Sequence, residues 1–140
     1  MAGLARAGKR DPLVRQTAVS LVNGLPQKDR VGEVRRLHAY VRDNIRYLRD
    51  INGVETLHTP DRILQQGQGD CDDKSILLAS LLESIGQPTR FLAIGFVPGK
   101  FSHVLVETRL GEQWVPLETT EPVEIGWFPK GVRAKMVVYV

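Results

Sequence analysis

From Cys71 to Ile85 the chain reads CDDKSILLASLLESI, and no other stretch limits the fold as strongly. Cys71, Ser75, Leu78, Leu82 and Ile85 fall on one face at helical spacing, while Ile76, Leu77 and Leu81 cover most of the rest. A helix apolar on nearly every side has no solvent face, so it belongs at the centre with other elements packed around it. Its ends are written locally. Asp70 is a natural N-cap, Asp72 and Asp73 place negative charge in the first turn, and Gly86 with Pro88 stops the helix.

Beyond Pro88 the periodicity changes to β-branched and aromatic runs: RFLAIGFV (90–97), SHVLVETR (102–109), QWVPLE (113–118) and KMVVYV (135–140). These read as antiparallel strands. Before the central helix, Val14, Ala18, Leu21 and Val22 mark a short helix stopped by Gly24 and Pro26. Val34, Leu37, Val41, Ile45 and Leu48 then mark an amphipathic helix from Val31 to about Arg49. A looped crossing through Asn52-Gly53 follows, then one helical turn and a Gln/Gly loop over 61–69. Helices come first and strands second, so the fold class is α+β. Residues 1–11 are aperiodic and basic and read as a flexible arm, residues 12–140 as one domain.

The composition, 42% hydrophobic and 25% charged, excludes collagenous, disordered and membrane classes. The opening MAGLARAGKR has no apolar signal-peptide core, no membrane-length apolar run follows, and a single cysteine forms no internal disulfide. A cytoplasmic location is the expectation, or a phage particle if the chain is phage-encoded. Residues 1–50 carry 11 basic against 5 acidic side chains. Arg35, Arg36, Arg42, Arg46 and Arg49 read as the solvated face of their helix, and without a stacking platform a nucleic-acid partner is not expected. His38 reads as a boundary residue and His58 as a loop residue; neither has metal-ligand spacing with Cys71, so no metal or cofactor is expected.

The segment TRLGEQ joins the second and third strands through Gly111. Centring the turn between Leu110 and Gly111 sets Val104 against Leu117, Val106 against Val115 and His103 against Glu118. An imidazole and a carboxylate so opposed lie about 4.5–5.5 Å apart at Cβ and share a hydrogen bond. Leu110 suits a two-residue primed turn poorly, so a four-residue loop with the same pairing serves equally.

A thiol at the head of a helix, a histidine and a carboxylate beside that histidine are the parts of a thiol acyl-transfer site. A free cysteine is only about 3% thiolate at pH 7. The helix terminus favours the anion by at most ~2 kcal/mol, and three nearby aspartates offset that. An imidazolium ~4 Å away, at an effective dielectric of ~20, supplies about 4 kcal/mol, so His103 has to activate Cys71. Asp70, Asp72 and Asp73 are explained by helix capping, or Asp72 or Asp73 pairs with an arginine of the 31–49 helix. Gly67 and Gly69 leave the backbone open to a substrate carbonyl. The Cys71 N–H is an oxyanion donor, with Gln68 or Gln66 as a second.

GDCDDKSILLASLLESIGQPTRFLAIGF, FSHVLVE and QWVPLET together resemble the transglutaminase-like superfamily of papain-like thiol enzymes, especially small bacterial and prophage members, over roughly residues 31–120. The resemblance implies Cys71 as nucleophile, His103 as general base and acid, and Glu118 at the place usually held by aspartate. It also implies a nucleophile helix packed on an antiparallel sheet, with a peptide or protein as substrate. The expected chemistry is acyl transfer at amide bonds, with hydrolysis favoured. The alternatives are transglutaminase-type amine transfer and a non-catalytic assembly module of a phage-like particle.

Overall fold

The computed structural model describes residues 1–49 and 57–140, and the turn expected at Asn52-Gly53 lies outside them. The central helix, α5, spans Cys71–Ser84, with every residue from Asp73 to Leu82 buried. Its start is a reciprocal cap: the Asp70 carboxylate accepts from the Asp73 N–H at 2.9 Å, and the Asp73 carboxylate accepts from the Asp70 N–H at 3.3 Å.

Four helices pack against α5: α1 (Ala2–Gly8), α2 (Pro12–Val22), α3 (Arg30–Asn44) and α4 (Pro60–Gln66). Residues 2–8 are thus helical rather than an arm. Ala5 is fully buried, and Gly8 approaches Pro60 and Ser80 so closely that an added Cβ would lie 2.5 Å from each. Small residues let this helix dock, and they carry no periodic apolar signal to announce it.

α3 ends at Asn44, five residues before the expected limit. Leu48 keeps the helical spacing but is exposed, because the chain has turned extended. Arg46–Tyr47 form β1, which pairs in parallel with β2, Gln68–Gly69. The Arg46 N–H donates to the Gly67 carbonyl at 2.8 Å and the Leu48 N–H to the Gly69 carbonyl at 2.9 Å. Tertiary pairing outcompetes one more helical turn. Arg46 and Arg49 therefore leave the helix face, while Arg36 bonds the Leu21 and Asn23 carbonyls and Arg42 bonds Asp43 and the Val123 carbonyl.

On the other side of α5 lie β3 (Thr89–Gly95), β4 (His103–Leu110), β5 (Gln113–Leu117) and β6 (Ala134–Tyr139), an antiparallel sheet in the order β5-β4-β3-β6. Phe91, Val104, Val106 and Leu117 join the helical core. Leu92, Ile94 and Leu105 turn to the opposite face, against Phe128 and Val132. The α+β order and the helix packed on an antiparallel sheet agree with the sequence.

The β4–β5 register does not. Val106 faces Leu117, Thr108 faces Val115 and Leu110 faces Gln113. The turn is Gly111-Glu112, with Gly111 at φ 65° in the first central position, where a II′ turn calls for glycine. Leu110 is thereby relieved of a conformation it tolerates poorly. A two-residue displacement preserves which face each side chain takes, because strand periodicity is two.

Candidate active site

Cys71 is half-buried at the first position of α5, His103 opens β4 and Glu118 follows β5. Had the ladder continued past Leu117, the observed register would set His103 against Thr120 and Glu118 diagonally across from it. Diagonal neighbours lie about 7–8 Å apart, within reach of a long side chain. The contact forms: His103 Nε2 and Glu118 Oε2 are 2.7 Å apart. The extra methylene of glutamate over aspartate helps span the diagonal.

Glu118 is almost fully buried and held from several sides. Its Oε1 accepts from the Thr120 N–H at 3.0 Å and from the Thr120 hydroxyl at 2.8 Å. Its main-chain carbonyl accepts a hydrogen bond from His38 Nε2. His38 is therefore a core residue of α3 with a partner 80 positions away, not a boundary residue. Burial, only partly offset by that carbonyl, lowers its pKa, in keeping with a neutral ring that donates one N–H.

His103 and the Cys71 thiol line the same cleft. Burial works to lower the His103 pKa, but side-chain hydrogen bonds with Cys71 and Glu118 outweigh it and raise it to about 10. Burial would raise the Glu118 pKa, yet the bond and charge of His103, with the Thr120 donors, bring it below its ordinary value. Cys71 Sγ also lies 3.8 Å from Asp72 Oδ1.

Asp70 and Asp73 form the helix cap, and Asp73 has a further partner that the sequence reading did not anticipate. Instead of an arginine it binds His58, accepting from the His58 N–H at 3.2 Å and contacting Nδ1 at 3.1 Å. Gly67 and Gly69 serve local packing as well. Gly67 takes φ 67° to end α4, and a Cβ on Gly69 would stand 2.6 Å from Asp73 Cβ. Gln68 is exposed on β2 and is not among the residues lining the cleft that holds Cys71.

That cleft encloses about 660 Å³, with Cys71, His103, Asp70, Asp72, Tyr47 and Arg49 on its polar side. Burial, then the charge of Cys71, raises the Tyr47 pKa. Behind the site Lys74, 2% exposed, donates to the Arg42 carbonyl at 3.4 Å. Desolvation depresses its pKa to about 8 against the opposing pull of Glu118 and Asp43. A lysine at the edge of the apolar run of α5 was the one sequence signal that could have located this buried cation.

The model of the transglutaminase-like superfamily matches residues 15–119, three-quarters of the chain. The chain belongs to that superfamily. The match begins upstream of the motifs that carry the resemblance and takes in most of α2 and all of α3. LapG of Legionella pneumophila shares the fold at a TM-score of 0.69 and 14% identity, over 99% of this chain and 84% of LapG. A candidate cysteine protease from Cytophaga hutchinsonii gives a TM-score of 0.65 at 15% identity, over 89% of this chain and 42% of that one. A candidate protease from Parabacteroides distasonis gives 0.68 at 16% identity, over 85% and 26% respectively. The chain thus spans about a quarter of the Parabacteroides protein and less than half of the Cytophaga protein. No curated protein matches. Among the described residues no helix is long and apolar enough to cross a membrane, and no three His, Cys, Asp or Glu side chains are grouped to hold a metal.

Proposed function

We propose that this chain is a cysteine-dependent acyl-transfer enzyme acting on amide bonds, with Cys71 as nucleophile, His103 as general base and acid, and Glu118 as the acid that orients His103. The reading is supported by one observation: the buried Glu118 carboxylate holds the His103 imidazole at 2.7 Å, and His103 lines the same cleft as Cys71. The His103 ring, protonated well above neutral pH, stabilises a thiolate beside it. The sulfur attacks the amide carbonyl, forming the S–C bond and a tetrahedral oxyanion that the Cys71 N–H is placed to receive. On collapse the C–N bond breaks, the amine leaves with the proton from His103, and a thioester remains. Water then attacks, gives its proton to His103 and releases the acid. Hydrolysis is the favoured outcome, supported by fold similarity to candidate proteases.

Incubating the protein with a peptide library and a labelled amine, followed by mass spectrometry, tests this directly. Cleaved peptides with release of a free carboxylate are expected. Amine incorporation would convert the reading to transglutaminase-type transfer, and no change in any peptide would return the chain to a non-catalytic module.

The carboxylate–imidazole pair also ties stability to pH. Glu118 titrates below its ordinary 4.5, so its contribution is complete above 4.5 and is lost as pH falls through the lowered value. His103 titrates above its ordinary 6.5, so its contribution is complete below 6.5 and is lost as pH rises toward about 10. Both are complete between 4.5 and 6.5. Glu118→Gln removes the anion while keeping the shape, and the His103 midpoint is expected to move down from about 10 toward 6.5 in an NMR titration. An unmoved midpoint would show that Glu118 does not hold the proton on the ring.

A further inference from the structure

The sheet carries an apolar strip that α5 leaves open beside the thiol. In the observed register Phe91 faces Val138 and Ala93 faces both Met136 and Val104, so these side chains share the face of the helical core. Phe91 and Val104 are buried, but Met136 on edge strand β6 is 49% exposed and Val138 41%. Phe101, 45% exposed, stands beside them just before His103. All of them line the same cleft as Cys71 and His103, together with Asp70, Asp72 and Arg49.

Apolar surface left open inside a concave site that also holds polar and titrating groups is the make-up of a ligand subsite, and about 660 Å³ is an ordinary volume for one. The strip and the Cys71 sulfur line one cleft, so an occupant of the strip lies beside the place where a carbonyl would meet sulfur and is part of the reacting molecule. We infer that the strip formed by Phe91, Ala93, Met136 and Val138, flanked by Phe101, binds an apolar side chain flanking the reacting carbonyl. The substrate is then a peptide with an aliphatic or aromatic residue at that position. This rests on Cys71 being the nucleophile, but not on the fate of the thioester.

Alkylation separates the two. A thiolate displaces iodide from an iodoacetamide, forming a carbon–sulfur bond without any turnover, so the subsite is read even in a protein that cleaves nothing. Rates for iodoacetamide and N-hexyl iodoacetamide are measured on Cys71 and on glutathione, and the hexyl-to-plain ratio is compared. Partial burial of the hexyl chain is expected to make the ratio about tenfold larger on Cys71 than on glutathione. Met136→Asp should bring it near the glutathione value, and Met136→Leu should keep it, with circular dichroism showing that both variants fold. A wild-type ratio within twofold of that of glutathione overturns the subsite, as does a folded Met136→Asp with an unchanged ratio. A raised ratio in a protein that cleaves no peptide keeps the subsite and removes only the hydrolytic reading. Failure of either reagent to modify Cys71 overturns both.

Discussion

Cys71→Ser is expected to lower amide turnover by a factor on the order of 10⁴ to 10⁶, with the fold unchanged. The substitution is close to isosteric at the first position of α5, where serine is well tolerated, and Cys71 is only half-buried, so packing loses little. What changes is the nucleophile. A neighbouring imidazolium can stabilise a thiolate at neutral pH, whereas a serine hydroxyl is far too weak an acid to ionise there, and a site arranged around an ion pair leaves it protonated. The measurement is kcat/KM on the best peptide from the library screen, together with intact mass after rapid quenching. Wild type should show an acyl adduct on the protein and the variant none. A variant that keeps turnover within tenfold of wild type would mean that sulfur does not carry the reaction.

His103→Ala has the second-largest expected effect, and it divides into two parts. The first is activation: an ordinary thiol is about 3% ionised at pH 7, so losing the ring should slow alkylation of Cys71 by iodoacetamide by roughly 10- to 30-fold. The second is proton delivery to the departing amine, which general acid–base catalysis makes worth about 10² to 10⁴ in rate. Peptide turnover should therefore fall much further than alkylation does. Stopped-flow alkylation at pH 7 and steady-state cleavage, run on the same preparations, expose the difference. Equal alkylation rates in the two proteins would show that the imidazole does not activate the thiol. Folding should survive the substitution, because His103 lies outside the helical core cluster and Thr120 still donates to the Glu118 carboxylate.

Much of this was legible in the sequence because the signals are local. The capped, all-round apolar helix from Cys71, the four strands and the helix over 12–22 follow from spacing and stop residues a few positions apart. The pairing of His103 with Glu118 followed as well, for a less direct reason than expected. The turn chemistry at Gly111 moves the β4–β5 ladder by two residues, and only the twofold period of a strand kept the histidine and the carboxylate on the same side. What the sequence concealed depends on partners remote along the chain. The burial of His38 is settled by the Glu118 carbonyl, the early end of α3 by the Gly67 and Gly69 carbonyls, and the docking of α1 by Pro60 and Ser80. Local periodicity even pointed the wrong way at Leu48.

Cys71 and Glu118 share one mooring. The chain just beyond α3 grips the lead-in to Cys71 through β1 and β2, and the same helix grips the main chain at Glu118 through His38. Loss of α3 would therefore release both contacts at once. Because a single helix and its exit strand hold the lead-in to Cys71 and the main chain at Glu118, heat should remove thiol alkylation by iodoacetamide in one step rather than by gradual drift.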